Sequence, residues 1–286
     1  MRKTWLITGC SRGLGRALAE AVLMSGDNLV ATARKKSDLQ DLAAQAGDRV
    51  TTLSLDVTDY QATCAAVKAA VSTFGRLDVV GNVAGYGNLG PIEDTSIEDF
   101  RAQIETNLFG VINMSKAAIP TMRKQRSGHI INYSSVGGRV GSTGRAAYSA
   151  AKFGVEGFSE VMAIEMAPLG VKVTIIEPGG FRTDFAGSST KISDVRAEYD
   201  STVGAAARFQ RGYSGKQPGD PVKAAAIVLQ VVGMSDPPFE VLKSNPKVRR
   251  IILGSDAYTA IGSKLDALRA EYEASKDLAY TTDFAN

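Results

Sequence analysis

Residues 4–24 read TWLITGCSRGLGRALAEAVLM, and the order of features in this stretch decides the fold. Thr4–Gly9 reads as a short buried strand, and Leu14–Met24 reads as a helix with small and apolar residues on several faces. Between them lies Thr8-Gly9-Cys10-Ser11-Arg12-Gly13-Leu14-Gly15, a TGxxxGxG spacing that differs from the plain GxGxxG fingerprint. Glycines permit a tight strand-to-helix turn and let an anion approach the backbone. The helix start then offers free N–H groups and its positive dipole end to a phosphate.

The same alternation continues outward from this turn. Asn28–Ala33, Val50–Leu55, Leu77–Gly81, Gly128–Tyr133 and Val171–Ile176 read as further strands. Capping-box spacings at Ser37-Asp38-Leu39-Gln40, Thr58-Asp59-Tyr60-Gln61 and Thr95-Ser96-Ile97-Glu98 predict helix starts, the last opening a long helix to about Met122. A further helix spans about Tyr148–Met166. Strands separated by helices of this length imply right-handed βαβ units, hence an α/β fold: a single Rossmann-type doubly wound domain with a mainly parallel sheet flanked by helices. Ligands are expected beyond the C-terminal ends of the strands.

From Phe181 to Pro221 the regularity lapses, which predicts a substrate-binding lid segment over about 181–221. Val222–Val232 reads as a helix. Pro237-Pro238, an apolar run Val248–Leu253 and a helix from about Tyr258 to Ser275 form a C-terminal extension over about 234–286. No repeat or linker divides the chain, so residues 1–286 read as one dinucleotide-binding and catalytic domain.

Composition removes several classes of function. With 44% apolar and 22% charged residues and a formal net charge of +3, the 286-residue chain reads as an ordinary soluble protein with no nucleic-acid partner. One histidine, His129, and two cysteines, Cys10 and Cys64, argue against a metal site, a Ser-His-Asp arrangement and a disulfide framework. His129 reads as a surface or satisfied structural residue, and Trp5 as core. The run Trp5-Leu6-Ile7 is too short for a signal peptide, and no apolar stretch approaches the roughly 20 residues of a membrane span. A cytoplasmic location is expected.

Two constellations carry chemistry. The first is Arg12 inside the Gly-rich turn together with Arg34 at the end of the second strand, where an acid would bind the ribose 2′-OH of NAD. The nearest acid, Asp38, is better explained by a helix start. Two guanidiniums at one corner suit a 2′-phosphate, so the sequence favours NADP(H), with NAD(H) the weaker alternative. The second is Ser135, Tyr148 and Lys152. Tyr148 and Lys152 are i and i+4 on one helix face. A phenol is a poor acid/base at neutral pH unless a neighbouring ammonium favours phenolate. A lone YxxxK would read as a helix-stabilising pair.

Taken together, TGxxxGxG, Asn82-Val83-Ala84-Gly85, Asn107, Ser135, Tyr148-xxx-Lys152 and Pro178-Gly179-xxx-Thr183 resemble the short-chain dehydrogenase/reductase family in order and spacing, over residues 8 to 183. The resemblance implies that Tyr148 is the general acid/base and that Ser135 hydrogen-bonds the substrate oxygen. Lys152 would lower the Tyr148 pKa and bind the nicotinamide ribose, and Asn107 would support a water-mediated relay to Lys152. It further implies that Gly9, Ser11, Arg12, Gly13, Leu14 and Gly15 line the pyrophosphate and adenosine side, with Asp56 and Val57 at the adenine. Asn82, Ala84 and Gly85 would pack beside the cofactor, and Pro178, Gly179, Phe181 and Thr183 would border the nicotinamide. Val83 departs from the family's usual second Asn, which predicts a local adjustment of hydrogen bonds.

The implied reaction interconverts a ketone or aldehyde and an alcohol by hydride transfer. TGxxRGxG, residues 181–187 and Leu253-Gly254-Ser255-Asp256-Ala257 resemble the branch of 17-beta-hydroxysteroid dehydrogenases and bacterial carbonyl reductases. Val136, Tyr86, Phe181 and Phe185 are expected to wall a pocket for an apolar or aryl small-molecule carbonyl. Two rival readings are a cofactor-binding regulatory protein without turnover and an NADP-using epimerase or dehydratase. The charged helix from Lys264 to Lys276 is expected to pack on its apolar stripe. By resemblance, dimer contacts fall on the helices around Asn107 and Tyr148, giving a homodimer or homotetramer.

Overall fold

Along the first strand, Trp5 and Ile7 must face one side of a sheet and Leu6 the other, and all three are apolar, so both faces need cover. The computed structural model describes residues 2–187, 189–233 and 249–284, and it supplies that cover. The chain runs β1 (Thr4–Ile7), α1 (Gly13–Met24), β2 (Asn28–Ala33), α2 (Gln40–Ala46), β3 (Val50–Ser54), α3 (Tyr60–Phe74) and β4 (Val79–Asn82). It continues through β5 (Gly87–Leu89), α4 (Ile97–Ile104), α5 (Gly110–Gln125), β6 (Gly128–Tyr133), α6 (Ala146–Met166) and β7 (Val171–Pro178). Last come β8 (Thr190–Ile192), α7 (Ala205–Tyr213), α8 (Pro221–Gly233), β9 (Arg249–Leu253), α9 (Ser255–Ala274) and α10 (Lys276–Tyr280).

Seven strands form one parallel sheet in the order β3-β2-β1-β4-β6-β7-β9. This is the doubly wound α/β architecture expected from the sequence. On one face Trp5 and Ile7 pack with Leu18 and Val22 of α1 and Val228 of α8. On the other, Leu6 packs with Val67 of α3, Met114 and Met122 of α5, and Met162 of α6. Each such fully buried side chain contributes about 1.5–3 kcal/mol of transfer free energy. Strand order reverses between β1 and β4, which opens a crevice beyond their C-terminal ends.

Several local expectations are corrected. Ser37 does not cap a helix; a 3-10 turn at Lys36–Leu39 comes first, and α2 starts at Gln40 without a side-chain cap. The other two caps sit one residue later than the boxes suggest. Asp59 accepts from the Ala62 N–H, and Ser96 from the Asp99 N–H. The long helix predicted to Met122 is interrupted by a π-helical turn at Glu105–Phe109 and runs on to Gln125. The stretch from Phe181 to Pro221 is more ordered than its composition suggests: β8 pairs in parallel with β5, and α7 follows. Pro237-Pro238 and Val248 lie outside the described residues.

The C-terminal helix departs most. Ala257 and Ile261 of α9 are buried, but Leu265, Leu268 and Tyr272 are exposed, so the stripe expected to pack does not. A 20-residue helix is about 30 Å long, and only its first turns meet the body. Among the described residues, no helix is long and apolar enough to cross a membrane.

Two glycines test this packing in opposite directions. A Cβ at Gly15 would fall on the Gly9 carbonyl oxygen, whereas one at Gly157, inside α6, meets nothing within 4 Å. Gly15→Ala should destabilise the fold by about 1–3 kcal/mol through overpacking, and Gly157→Ala should stabilise it by about 0.5–1 kcal/mol. Urea unfolding of both variants measures this. An unaffected Gly15→Ala protein would show that the first turn does not need its close approach.

Candidate active site

The crevice begins where β1 ends. The Thr8 hydroxyl accepts from the Val83 N–H at 3.0 Å and the Ala84 N–H at 3.1 Å, tying the turn after β1 to the turn after β4. Gly9 follows with φ +75°, and a Cβ there would lie 2.9 Å from the Ala84 Cα. The chain therefore crosses itself backbone to backbone, which only glycine allows. α1 then starts with no side-chain cap at Arg12 and no acidic residue in its first turn. Its leading N–H groups and dipole are left for an anion.

A cavity of about 610 Å³ runs from this turn across the strand ends. At one end it is lined by Gly9, Ser11, Arg12, Gly13, Leu14, Gly15, Arg34, Asp56 and Val57. Arg12 and Arg34 are both exposed there. The Asp56 carboxylate is held within its own turn, accepting from the Thr58 N–H at 2.9 Å and hydroxyl at 2.8 Å. Ala84, Gly85, Pro178, Gly179, Phe181 and Thr183 line the middle, with Ser135, Tyr148 and Lys152 beside them.

The last three come from two neighbouring elements. Ser135 follows the end of β6, and its Oγ accepts from the Gly137 N–H at 3.0 Å. Gly137 must be small: a Cβ there would lie 3.0 Å from the Tyr148 ring. Tyr148 and Lys152 share the first turns of α6, with the ammonium 5.8 Å from the Tyr148 ring centre. Lys152 Nζ donates to the Tyr133 carbonyl at 2.7 Å, the last residue of β6. That bond fixes α6 to the sheet.

Burial governs the electrostatics. It pushes the Tyr148 phenol up from its ordinary value, while the Ser135 hydroxyl and the Arg145 guanidinium pull it down. Lys152 is not among the groups drawing the phenol down, which departs from the sequence expectation. Its own amine is lowered to about 8 by desolvation, against a smaller raising effect of the Glu156 carboxylate. Both groups thus favour their neutral forms near neutrality more than free side chains do.

Two expected site residues sit behind the cavity wall. Asn82 is buried, and its Nδ2 donates to Ser115 Oγ at 3.1 Å and Asn132 Oδ1 at 2.8 Å. Its side chain braces β4 against α5 and β6 and does not line the cavity. Asn107, in the π-helical turn, is fully buried; its Oδ1 accepts from the Tyr86 N–H and its Nδ2 donates to the Tyr86 carbonyl. It still borders Gly85, since a Cβ there would lie 2.9 Å from Asn107 Oδ1 and 3.9 Å from Lys152 Nζ. At Val83, the departure from the family pattern, the backbone is supported by Thr8. His129 is buried against the Thr174 hydroxyl at 2.8 Å, far from any role at the cavity.

The expected walls Val136, Tyr86, Phe181 and Phe185 line the same cavity. Sequence reasoning missed Arg145, Gln210, Gln217 and Asp256, which line it too. Arg145 lies three residues before Tyr148, one helical turn away, and this spacing could have exposed it. Gln210 needed α7 to be recognised as a helix. Asp256 binds the Gly180 N–H at 2.7 Å and brings the start of α9 to the site.

The lining fits a dinucleotide: an uncapped helix start and a glycine cradle for the phosphates, with cations at the distal end. Comparison with known proteins agrees with this fit. A family model described as short chain dehydrogenase matches residues 3–193. The chain is 46% identical over 280 residues to oxidoreductase BOA17 of Botryotinia fuckeliana, covering 98% of each protein. It superposes on a short-chain dehydrogenase from Streptomyces avermitilis with a TM-score of 0.89 and 38% identity, covering 99% of this chain and 100% of that one. An alcohol dehydrogenase from Thermococcus sibiricus, solved with 5-hydroxy-NADP, gives 0.71 and 25% identity, over 89% of this chain and 97% of that one.

The buried Lys152 makes stability depend on pH in a definite direction. Below about 8 the folded state carries the cost of a buried charge; between about 8 and 10.5 the folded amine is neutral while the unfolded one is still protonated. The unfolded state then binds more protons, so stability rises with pH across that window. Relative to Lys152→Met, wild type should gain stability from pH 7 to 9.5 in urea titrations. A difference that stays flat would show that the folded Lys152 amine titrates like the unfolded one.

Proposed function

This chain belongs to the short-chain dehydrogenase/reductase family of oxidoreductases, and we propose that it interconverts a ketone or aldehyde and an alcohol with Tyr148 as general acid/base, preferring NADP(H). The observation that carries this reading is a single cavity joining the glycine-lined crevice, with Arg12 and Arg34, to the buried group of Tyr148, Ser135 and Lys152. A bound nicotinamide supplies or accepts the hydride. The chain's own residues supply orientation and the proton.

In the reductive direction the Tyr148 O–H donates its proton to the substrate oxygen, and the Ser135 hydroxyl donates a hydrogen bond to the same oxygen. The phenol, raised by burial from an already basic ordinary value, carries its proton at neutral pH and is available as the donor. The phenolate left behind is stabilised by the Arg145 guanidinium and regains a proton from solvent. Lys152, held on the Tyr133 carbonyl, has its remaining N–H donors for a ribose hydroxyl. Asn107 acts by fixing the Tyr86 backbone and the turn at Gly85, a positioning role. In the oxidative direction Tyr148 must first lose its proton, so oxidation is expected to need higher pH than reduction.

At the distal end, Arg12 and Arg34 suit a 2′-phosphate by charge-assisted, forked hydrogen bonds. No carboxylate of β2 occupies the place of a ribose 2′-OH acceptor, because the strand ends Ala33-Arg34. Val136, Val140, Phe185 and Phe209 give the substrate end an apolar surface, which supports a carbonyl with an apolar or aryl body. Exposed Phe109, Phe153, Val161 and Ile164, on and around α5 and α6, supply apolar surface for a cytoplasmic homodimer or homotetramer.

Two measurements test these assignments. Tyr148→Phe should abolish nearly all carbonyl-dependent NADPH oxidation, followed by absorbance, while NADPH binding is largely retained; an active variant would remove Tyr148 from the acid/base role. Replacing Arg12 and Arg34 together with Ala should weaken NADPH binding by roughly tenfold or more and NADH binding far less. Equal losses for both cofactors would move the 2′-phosphate elsewhere.

A further inference from the structure

Among the described residues, the Arg145 guanidinium at the cavity has no carboxylate beside it. The Arg145 guanidinium lies 5.9 Å from the Tyr148 ring centre and 6.0 Å from that of Phe185, with the two rings 5.6 Å apart. Its Nη2 donates to Gln210 Oε1 at 2.9 Å, and Gln210 is itself held by donating to the Ala186 carbonyl at 3.0 Å. Its Nη1 is buried and makes no hydrogen bond among the described residues. No carboxylate lies within ion-pair distance of it among them either. Of the acids lining the cavity, Asp56 and Asp184 are exposed, and Asp256 holds the Gly180 N–H through Oδ2 while its Oδ1 is buried without a hydrogen-bond partner among the described residues.

A guanidinium in this position is held ready at a cost. Burial disfavours its charge, yet arginine does not give up its proton in proteins. Aromatic faces compensate a buried cation only in part. Elsewhere in the same wall, Gln217 is 1% exposed with both amide atoms unpartnered. Buried polar groups without partners are uncommon in folded proteins, and at a cavity wall they mark places where a ligand completes the bonding.

We propose that the site takes a carbonyl compound carrying a carboxylate, and that Arg145 receives that carboxylate while Tyr148 protonates the carbonyl oxygen. This rests on the reductive reading given above and narrows its substrate class from apolar carbonyls to oxo acids with an apolar body. A carboxylate only accepts hydrogen bonds, matching the N–H fork of Arg145, and one guanidinium suits its single charge better than the double charge of a phosphate. The apolar side chains of Val136, Val140 and Phe185 would hold the body between the two polar ends.

The test compares phenyl-substituted 3-, 4- and 5-oxo acids with their methyl esters, using NADPH and the intact protein. For the best chain length, kcat/KM should favour the acid over its ester. Arg145→Gln should lower kcat alike for acid and ester through the lost support of the phenolate, whereas the acid-to-ester ratio should fall roughly tenfold or more through the KM of the acid alone, and Arg145→Lys should restore part of it. Calorimetric binding of 4-phenylbutanoate and its methyl ester to the three proteins provides a readout independent of turnover. Ester used as well as acid, or an acid-to-ester ratio unchanged in Arg145→Gln, overturns the proposal and leaves carbonyl reduction standing. Arg145-dependent binding of the carboxylate with no carbonyl reduced supports the anion site and rejects the reductive reading. Failure of both removes both.

Discussion

The molecule is organised around a backbone crossing that tolerates no side chain. Gly9 passes within contact distance of Ala84, and Gly15 sits on the Gly9 carbonyl. This brings the turns after β1 and β4 together at the point where strand order reverses. A larger residue at either glycine would lift α1 away from the sheet. The helix start would then no longer face the crevice, and Val83 and Ala84 would lose the Thr8 hydroxyl that holds their N–H groups. The phosphate end of the cavity and the turn carrying Gly85 are thus one mechanical unit.

The other end of the cavity depends on how α6 meets β6. A chain of buried polar bonds runs from Asn82 to Asn132 and on to Ser159 of α6, where Asn132 Nδ2 donates to Ser159 Oγ at 2.8 Å. Two turns closer to the site, Lys152 reaches the Tyr133 carbonyl. Such bonds add little net stability, but leaving any one unmade inside the core is costly, so they select a single rotation of α6. That rotation faces Tyr148 and Lys152 into the cavity. At the far edge, the Arg250 guanidinium of β9 meets Glu156 of α6 at 3.0 Å and the fully buried Glu177 of β7 at 3.3 Å. Burial still raises Glu177 to about 6.

Much of this was legible in the sequence because it rests on backbone constraints with short-range signatures. Gly9, Gly13 and Gly15 declare a turn, and the alternating apolar runs declare strands covered on both faces. What escaped was decided by tertiary partners. Ser37 has the right spacing for a cap, but a 3-10 turn precedes α2 and removes the need for it. Asn82 and Asn107 bear polar groups in the right order along the chain, yet both spend them on neighbouring structure, Ser115 and Asn132 for one and the Tyr86 backbone for the other. The helix α7 is amphipathic but only nine residues long, and it sits inside a stretch rich in Gly, Ser, Thr and charges that masks it. The exposed stripe of α9 shows the converse: periodicity announces an apolar face without saying that anything covers it.

Arg145 follows from the same logic and sharpens it. Its position three residues before Tyr148 puts a permanent cation on the face that also carries a group needing to hold and release a proton. Desolvation raises the phenol and lowers the neighbouring amine to about 8, so the charge on Lys152 is lost as pH rises through that value. A guanidinium that cannot discharge keeps one fixed positive charge among these groups whatever the pH. It lowers the cost of any negative oxygen formed nearby, whether on the phenol or on a ligand. Because Gln210 anchors only one of its two terminal nitrogens, the residue has both a fixed orientation and spare bonding capacity.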